Sequence, residues 1–171
     1  SDGVGGSIIC NGQVIDGENS MAGKFAHILV ESGGRRCACG KRGHLESYVS
    51  KPAMEEAYFE ASGKRLELPE ICRLAGEGEK AAAAVLKDAI DKLAIGINQI
   101  LLVVNPGTLV LYGDLFESVD GILERLKQKT KELAFTEEIA DNCWMVRETK
   151  NVRIEDSIAR LSVERALEII V

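Results

Sequence analysis

An α/β layered domain is the fold class this sequence predicts, and three stretches predict it. Residues 81–104 carry Val85, Ile90, Leu93, Ile97, Ile100, Leu101 and Val104 at three- and four-residue steps, the period of a helix with one buried face. Residues 109–111 are apolar throughout, as in a strand covered on both faces. Near the start, Asn11-Gly12 separates two short runs rich in β-branched residues, a strong hairpin signal. Helices alternating with short strands build layered α/β domains. The 171 residues suffice for a real core, and 1–171 reads as a single domain.

The elements follow in order. Residues 4–10 read as a strand, 13–15 as its hairpin partner, and 17–23 as a loop. Residues 25–30 read as a short strand, and 45–49 as a short helix. Pro52 suits the first turn of a helix through about 61, with Ser50 as its cap. Pro69 opens another, ending near Gly76. Asn105-Pro106-Gly107 stops the long helix. An amphipathic helix is expected over 118–133, a strand over 144–147, and a closing helix over 156–171. There is no internal repeat, linker or low-complexity segment.

The net charge of −6 argues against nucleic acid held on this chain's own surface. No signal peptide or membrane-length apolar run is visible, and five cysteines are an odd number. Both points favour a reducing cytoplasm, where clustered cysteines act as ligands more readily than as bridges.

Chemistry concentrates between residues 27 and 46. His27, Cys37, Cys39 and His44 sit there, and these are the chain's only two histidines. Gly33, Gly34, Gly40 and Gly43 let the backbone turn tightly enough to aim four side chains at one point. Such a set suits tetrahedral zinc. The alternatives are a reduced surface loop and a Cys37–Cys39 disulfide, which one intervening residue would strain. Arg35, Arg36, Lys41 and Arg42 crowd the loop and would favour thiolates there.

Several motifs together resemble one family. Gly3-Val4-Gly5-Gly6-Ser7-Ile8-Ile9, Asn11-Gly12, Ala22-Gly23-Lys24-Phe25-Ala26-His27, the segment from Cys37 through Cys39, Gly40, Gly43 and His44 to Glu46, and Asn105-Pro106 through Leu109-Val110 to Gly113 are similar to the ROK family (repressors, open reading frames and sugar kinases). The resemblance implies an actin-like, ribonuclease-H-like α/β fold. It also implies that this chain is mainly the C-terminal half of such a protein, with the N-terminal half absent. A histidine and three cysteines usually hold the family's structural zinc. His27, Cys37 and Cys39 match, and His44 stands where the third cysteine is usual; imidazole is an equally good zinc ligand. The implied sugar contacts fall at Lys24, His27 and Glu46, with Lys24 replacing an acidic residue. Gly3, Gly5 and Gly6 match the family's phosphate-facing turn.

Members of the family are either ATP-dependent sugar kinases or DNA-binding regulators that keep the sugar pocket. Three departures favour the regulator. Asp2 precedes Gly3 where a threonine or serine is usual, and Tyr112 and Asp114 flank Gly113 where a glycine pair is usual. A carboxylate repels a triphosphate unless a cation intervenes. No catalytic residue is assigned within this chain. The expectation is therefore a cytoplasmic, homodimeric, non-enzymatic sugar-sensing part of a transcriptional regulator, reaching DNA only through a separate N-terminal domain. The other reading is the C-terminal half of a sugar kinase. No membrane contact is expected.

Overall fold

A computed structural model describes residues 3–136, 138, 141, 143–147 and 166–170. Five strands form one mixed sheet: β1 (Gly5–Cys10), β2 (Gln13–Val14), β3 (Thr108–Tyr112), β4 (Cys143–Arg147) and β5 (Ala166–Ile170), in the order β2-β1-β5-β3-β4. β1 runs antiparallel to β2 and β5, while β3 runs parallel to β4 and β5. The β1–β2 hairpin turns where the sequence predicts, with Asn11 at φ 52° and Gly12 at φ 73°. Both angles are left-handed, as a type I′ turn requires.

The helices are α1 (Glu46–Val49), α2 (Lys51–Ser62), α3 (Leu68–Gly76), α4 (Lys80–Val104), α5 (Asp114–Ser118) and α6 (Ile122–Leu133). Ser50 caps α2 as expected, its side chain accepting the Ala53 N–H at 3.4 Å, with Pro52 in the first turn. Glu79 caps α4 in the same way, accepting from Ala82 N–H at 2.7 Å. Asn105 ends α4 in the left-handed conformation, φ 46° and ψ 58°.

α4 is the axle of the fold and packs against α1, α2, α3 and α6. Val85, Ile90, Leu93, Ile97, Ile100 and Leu101 are buried on it, and Val104 is partly so. Leu109 and Leu111 of β3 join the same core. Val110 is buried too, so β3 is covered on both faces, as its apolar run implies. Asn98 is the one buried amide on α4. It donates to Ala94 O and, at 3.0 Å, to Thr130 O, tying α4 to α6. Leu93 is fully buried in this cluster. Leu93→Ala should cost about 3 kcal/mol, read as a lower denaturant midpoint at unchanged slope. A loss under about 1 kcal/mol would mean that the α4 face is not the centre of the core.

Three expectations are corrected. Residues 25–30 are not a strand: Phe25–His27 is a 3-10 turn, closed by His27 N–H to Lys24 O at 3.1 Å and Ile28 N–H to Phe25 O at 3.1 Å. The helix expected over 118–133 is α6 and starts only at Ile122: Ser118 ends α5, and Gly121, at φ 68°, stands before the first turn of α6. The closing helix expected over 156–171 is a strand at Ala166–Ile170, because the gap between β1 and β3 is filled there. The rest of that predicted helix, and Asp2, lie outside the described residues. Among the described residues, no helix is long and apolar enough to cross a membrane.

Candidate metal centre and ligand wall

The histidine–cysteine segment folds as two arms laid side by side. The first arm leaves the 3-10 turn and pairs with the second through Val30 N–H to Gly43 O at 2.8 Å and Leu45 N–H to Ile28 O at 2.9 Å. Leu29 bridges His44 in this pairing, which sets His27 beside His44 with ring centroids 5.2 Å apart. Beyond it the chain makes a knuckle. Cys37 N–H bonds Lys41 O at 2.8 Å, and Gly40 N–H returns to Cys37 O at 2.9 Å. The knuckle carries Cys37 and Cys39 over the two imidazoles.

One donor atom from each of His27, Cys37, Cys39 and His44 lies within 4.8 Å of the other three. Cys37 Sγ is 4.0 Å from His27 Nδ1, and Cys39 Sγ is 3.2 Å from His44 Nδ1. Tetrahedral zinc bonds of ~2.3 Å to sulfur and ~2.0–2.1 Å to nitrogen set a sulfur and a nitrogen about 3.5 Å apart. The two measured separations bracket that value. The set fits a four-coordinate metal with only small side-chain movement, and its two thiols and two imidazoles are borderline-soft donors of the kind zinc takes. The four residues singled out from the sequence are therefore the four brought together.

Burial pushes the Cys37 thiol up from its ordinary pKa. Arg35 pairs with Asp88 on α4 at 2.9 Å. Arg42 donates to Gly34 O at 3.1 Å. Metal would have to displace the Cys37 proton itself, as thiol sites ordinarily require.

Glu46 opens α1 and links the metal cluster to the glycine motif. Its Oε2 accepts from the Cys37 thiol at 3.6 Å, and a Cβ added to Gly3 would stand 3.1 Å from its Oε1. His27 is exposed, and both it and Glu46 lie against the Cys37 sulfur, at 4.0 Å and 3.6 Å. Glu46 thus reaches from the Cys37 sulfur to Gly3. Lys24 is exposed at the start of the 3-10 turn and makes no ion pair among the described residues. Gly5 and Gly6 are not an open turn: they begin β1 and pair with Ile170 and Ile169 of β5. Gly3, in the bend before β1, is the part of that motif left outside the sheet. Tyr112 is the last residue of β3 and is half-buried, with its hydroxyl inside. Gly113 turns the chain into α5 at φ 123°, which places Asp114 as the first residue of that helix.

The ROK family model matches residues 1–153. The chain belongs to the ROK family. Its fold is that of the actin-like ATPases, as the sequence resemblance implies. An N-acetyl-D-glucosamine kinase of Shigella boydii serotype 4 is 32% identical over 123 residues, 66% of this chain and 41% of the kinase. This ROK chain therefore spans less than half the length of that curated relative. Among solved structures, a ROK hexokinase from Thermus thermophilus superposes with TM-score 0.78 at 24% identity, covering 95% of this chain and 53% of the hexokinase. A ROK transcriptional regulator, a homolog of the E. coli MLC protein, superposes with TM-score 0.70 at 22% identity, over 85% of this chain and 39% of the regulator. Both branches of the family share this architecture, so the fold alone does not choose between them.

Proposed function

We propose that this chain is the sugar-facing, metal-braced C-terminal half of a ROK sugar kinase. The observation that carries the reading is the 32% identity to an N-acetyl-D-glucosamine kinase, at a level where the solved-structure matches inform only on fold. The preference drawn from sequence for a regulator rested on Asp2, Tyr112 and Asp114. Tyr112 closes β3 with its hydroxyl buried, and Asp2 lies outside the described residues, so the identity to a kinase decides the reading.

In this reading His27 and Glu46 contact sugar hydroxyls. A carboxylate accepts two hydroxyl donors, and an imidazole can accept or donate. Gly3 leaves room for the Glu46 carboxylate. The residues of this chain bind and orient; proton transfer is not assigned to any of them. Structural zinc would be held by His27, Cys37, Cys39 and His44 and would supply no chemistry. Four protein ligands leave it no open position, so it acts as a brace. With one His27 nitrogen on the metal, the other is free to face ligand in a fixed orientation. Lys24 would bring a positive charge to the rim, suiting a sugar that carries an anionic group. A reducing cytoplasm suits two free thiols, and a homodimer follows from the family resemblance.

The test is phosphoryl transfer by the intact gene product. With ATP and magnesium, ADP release should depend on an added hexose or N-acetylhexosamine. Sugar binding by calorimetry with no sugar-dependent ADP release would reject the kinase and return the regulator, with DNA reached through a separate domain.

A further inference from the structure

Two residues beyond Glu46, Tyr48 stands 2% exposed on α1. Its hydroxyl accepts the Arg35 N–H at 2.8 Å. The hydroxyl also acts on the Glu31 carboxylate, helping to lower its pKa. This oxygen thus pins the Arg35 end of the turn 31–35, which leads directly into the knuckle. The fit is tight: a Cβ on Gly34 would stand 2.0 Å from that oxygen.

α4 holds the other side of this strut. Lys92 pairs with Glu31 at 2.9 Å, and Asp88 pairs with Arg35 at 2.9 Å. Both cations also lie over the Tyr48 ring, Arg35 at 4.9 Å and Lys92 at 5.2 Å from its centroid. Glu31 is held below the usual carboxylate range, first by its hydrogen bond to Lys92 and next by the Tyr48 hydroxyl.

Arg35 is where the strut meets the metal arms. Its N–H goes to Tyr48, while its carbonyl accepts the Gly43 N–H at 2.8 Å. Cys37 follows two residues after Arg35, and His44 follows Gly43. The position of this one residue therefore governs the spacing between the arm that carries the cysteines and the arm that carries His44.

We propose that the Tyr48 hydroxyl is a positioning group for the metal centre: by holding Arg35 against α4, beside the Glu31–Lys92 pair, it fixes the separation of the two ligand-bearing arms. The inference rests on the zinc reading given above. Outer-shell partners of metal sites typically contribute about 10–100-fold in affinity. Tyr48 acts through the backbone rather than on a ligand directly, so the low end applies.

The experiment is a chelator-competition titration of zinc on the whole chain, comparing wild type with Tyr48→Phe, which keeps the ring and its stacked cations. The expected result is about tenfold weaker zinc binding. Melting of the zinc-free form should change much less than that of the zinc-loaded form. Unchanged affinity, with both forms destabilised equally, would reduce the hydroxyl to ordinary packing and overturn the proposal. Glu31→Ala, at an exposed side chain, breaks the same strut from its other end without touching the core. It should weaken zinc several-fold, and an affinity equal to wild type would likewise overturn the proposal. Wild type that binds no zinc removes the zinc reading and this proposal together. Tight wild-type binding with unaltered variants removes this proposal alone.

Discussion

Gly43→Ala is expected to open the metal loop, at a cost of about 4 kcal/mol and with loss of stoichiometric metal binding. Gly43 sits at φ 78°, where a side chain adds about 1–3 kcal/mol of strain. Space is the larger obstacle. An added Cβ would lie 1.6 Å from Glu31 O, a backbone atom that cannot swing aside. Relief requires the two arms to part. That breaks the bonds of Val30 and Glu31 N–H to Gly43 O and of Gly43 N–H to Arg35 O, each worth about 1 kcal/mol. Gly40→Ala is the internal control. Gly40 is also left-handed, at φ 87°, but nothing lies within 4 Å of a Cβ there. It should cost only the strain and keep the metal. Chemical denaturation and metal analysis read both variants, and equal losses in the two would reject the collision argument.

Glycine illustrates what the sequence makes legible and what it does not. Four glycines between 27 and 46 announce tight turning, yet their spacing does not say which is indispensable. That depends on what faces each missing side chain: Glu31 O at Gly43, Tyr48 Oη at Gly34, open space at Gly33 and Gly40. The four ligands were readable because their chemistry is local and rare in composition. The strut was not, because Tyr48, Arg35, Glu31, Lys92 and Asp88 are ordinary residues that matter only once α4 lies across the loop.

The same division runs through the fold. α4 and β3 were legible because burial writes its period, or its lack of one, into the apolar residues. β5 was not. Ala166, Leu167 and Glu168 are strong helix formers, and local propensity yields when a sheet has a vacant place between two strands. The 3-10 turn at Phe25–His27 was missed for a related reason, since three residues are too few to show a period. It nevertheless aims His27. The separation of kinase from regulator lies beyond both kinds of signal, as the two branches share this scaffold.

Removing the metal should give the second large effect, and the two cysteines should respond differently. A site occupied at about 1,000 times its dissociation constant stabilises the folded chain by about 4 kcal/mol. At about 2–4 °C per kcal/mol for a chain of this size, chelation should lower the melting temperature by roughly 10 °C. Cys37 is 3% exposed and Cys39 is exposed, although both point a sulfur at the same cluster. Cys39→Ala should therefore abolish the zinc-dependent rise and leave the zinc-free melting temperature nearly unchanged. Cys37→Ala should abolish the same rise and also lower the zinc-free melting temperature, because it removes a buried side chain and the thiol that donates to Glu46. His44→Cys, which restores the ligand the family usually has there, should keep the zinc-dependent rise, since thiolate and imidazole serve zinc equally. Melting curves of the three variants with and without zinc are the measurement. A chelation shift under about 2 °C in the wild type, with both thiols freely reactive, would sink the structural-metal assignment. A shift that survives Cys39→Ala would instead place the metal elsewhere than these four residues.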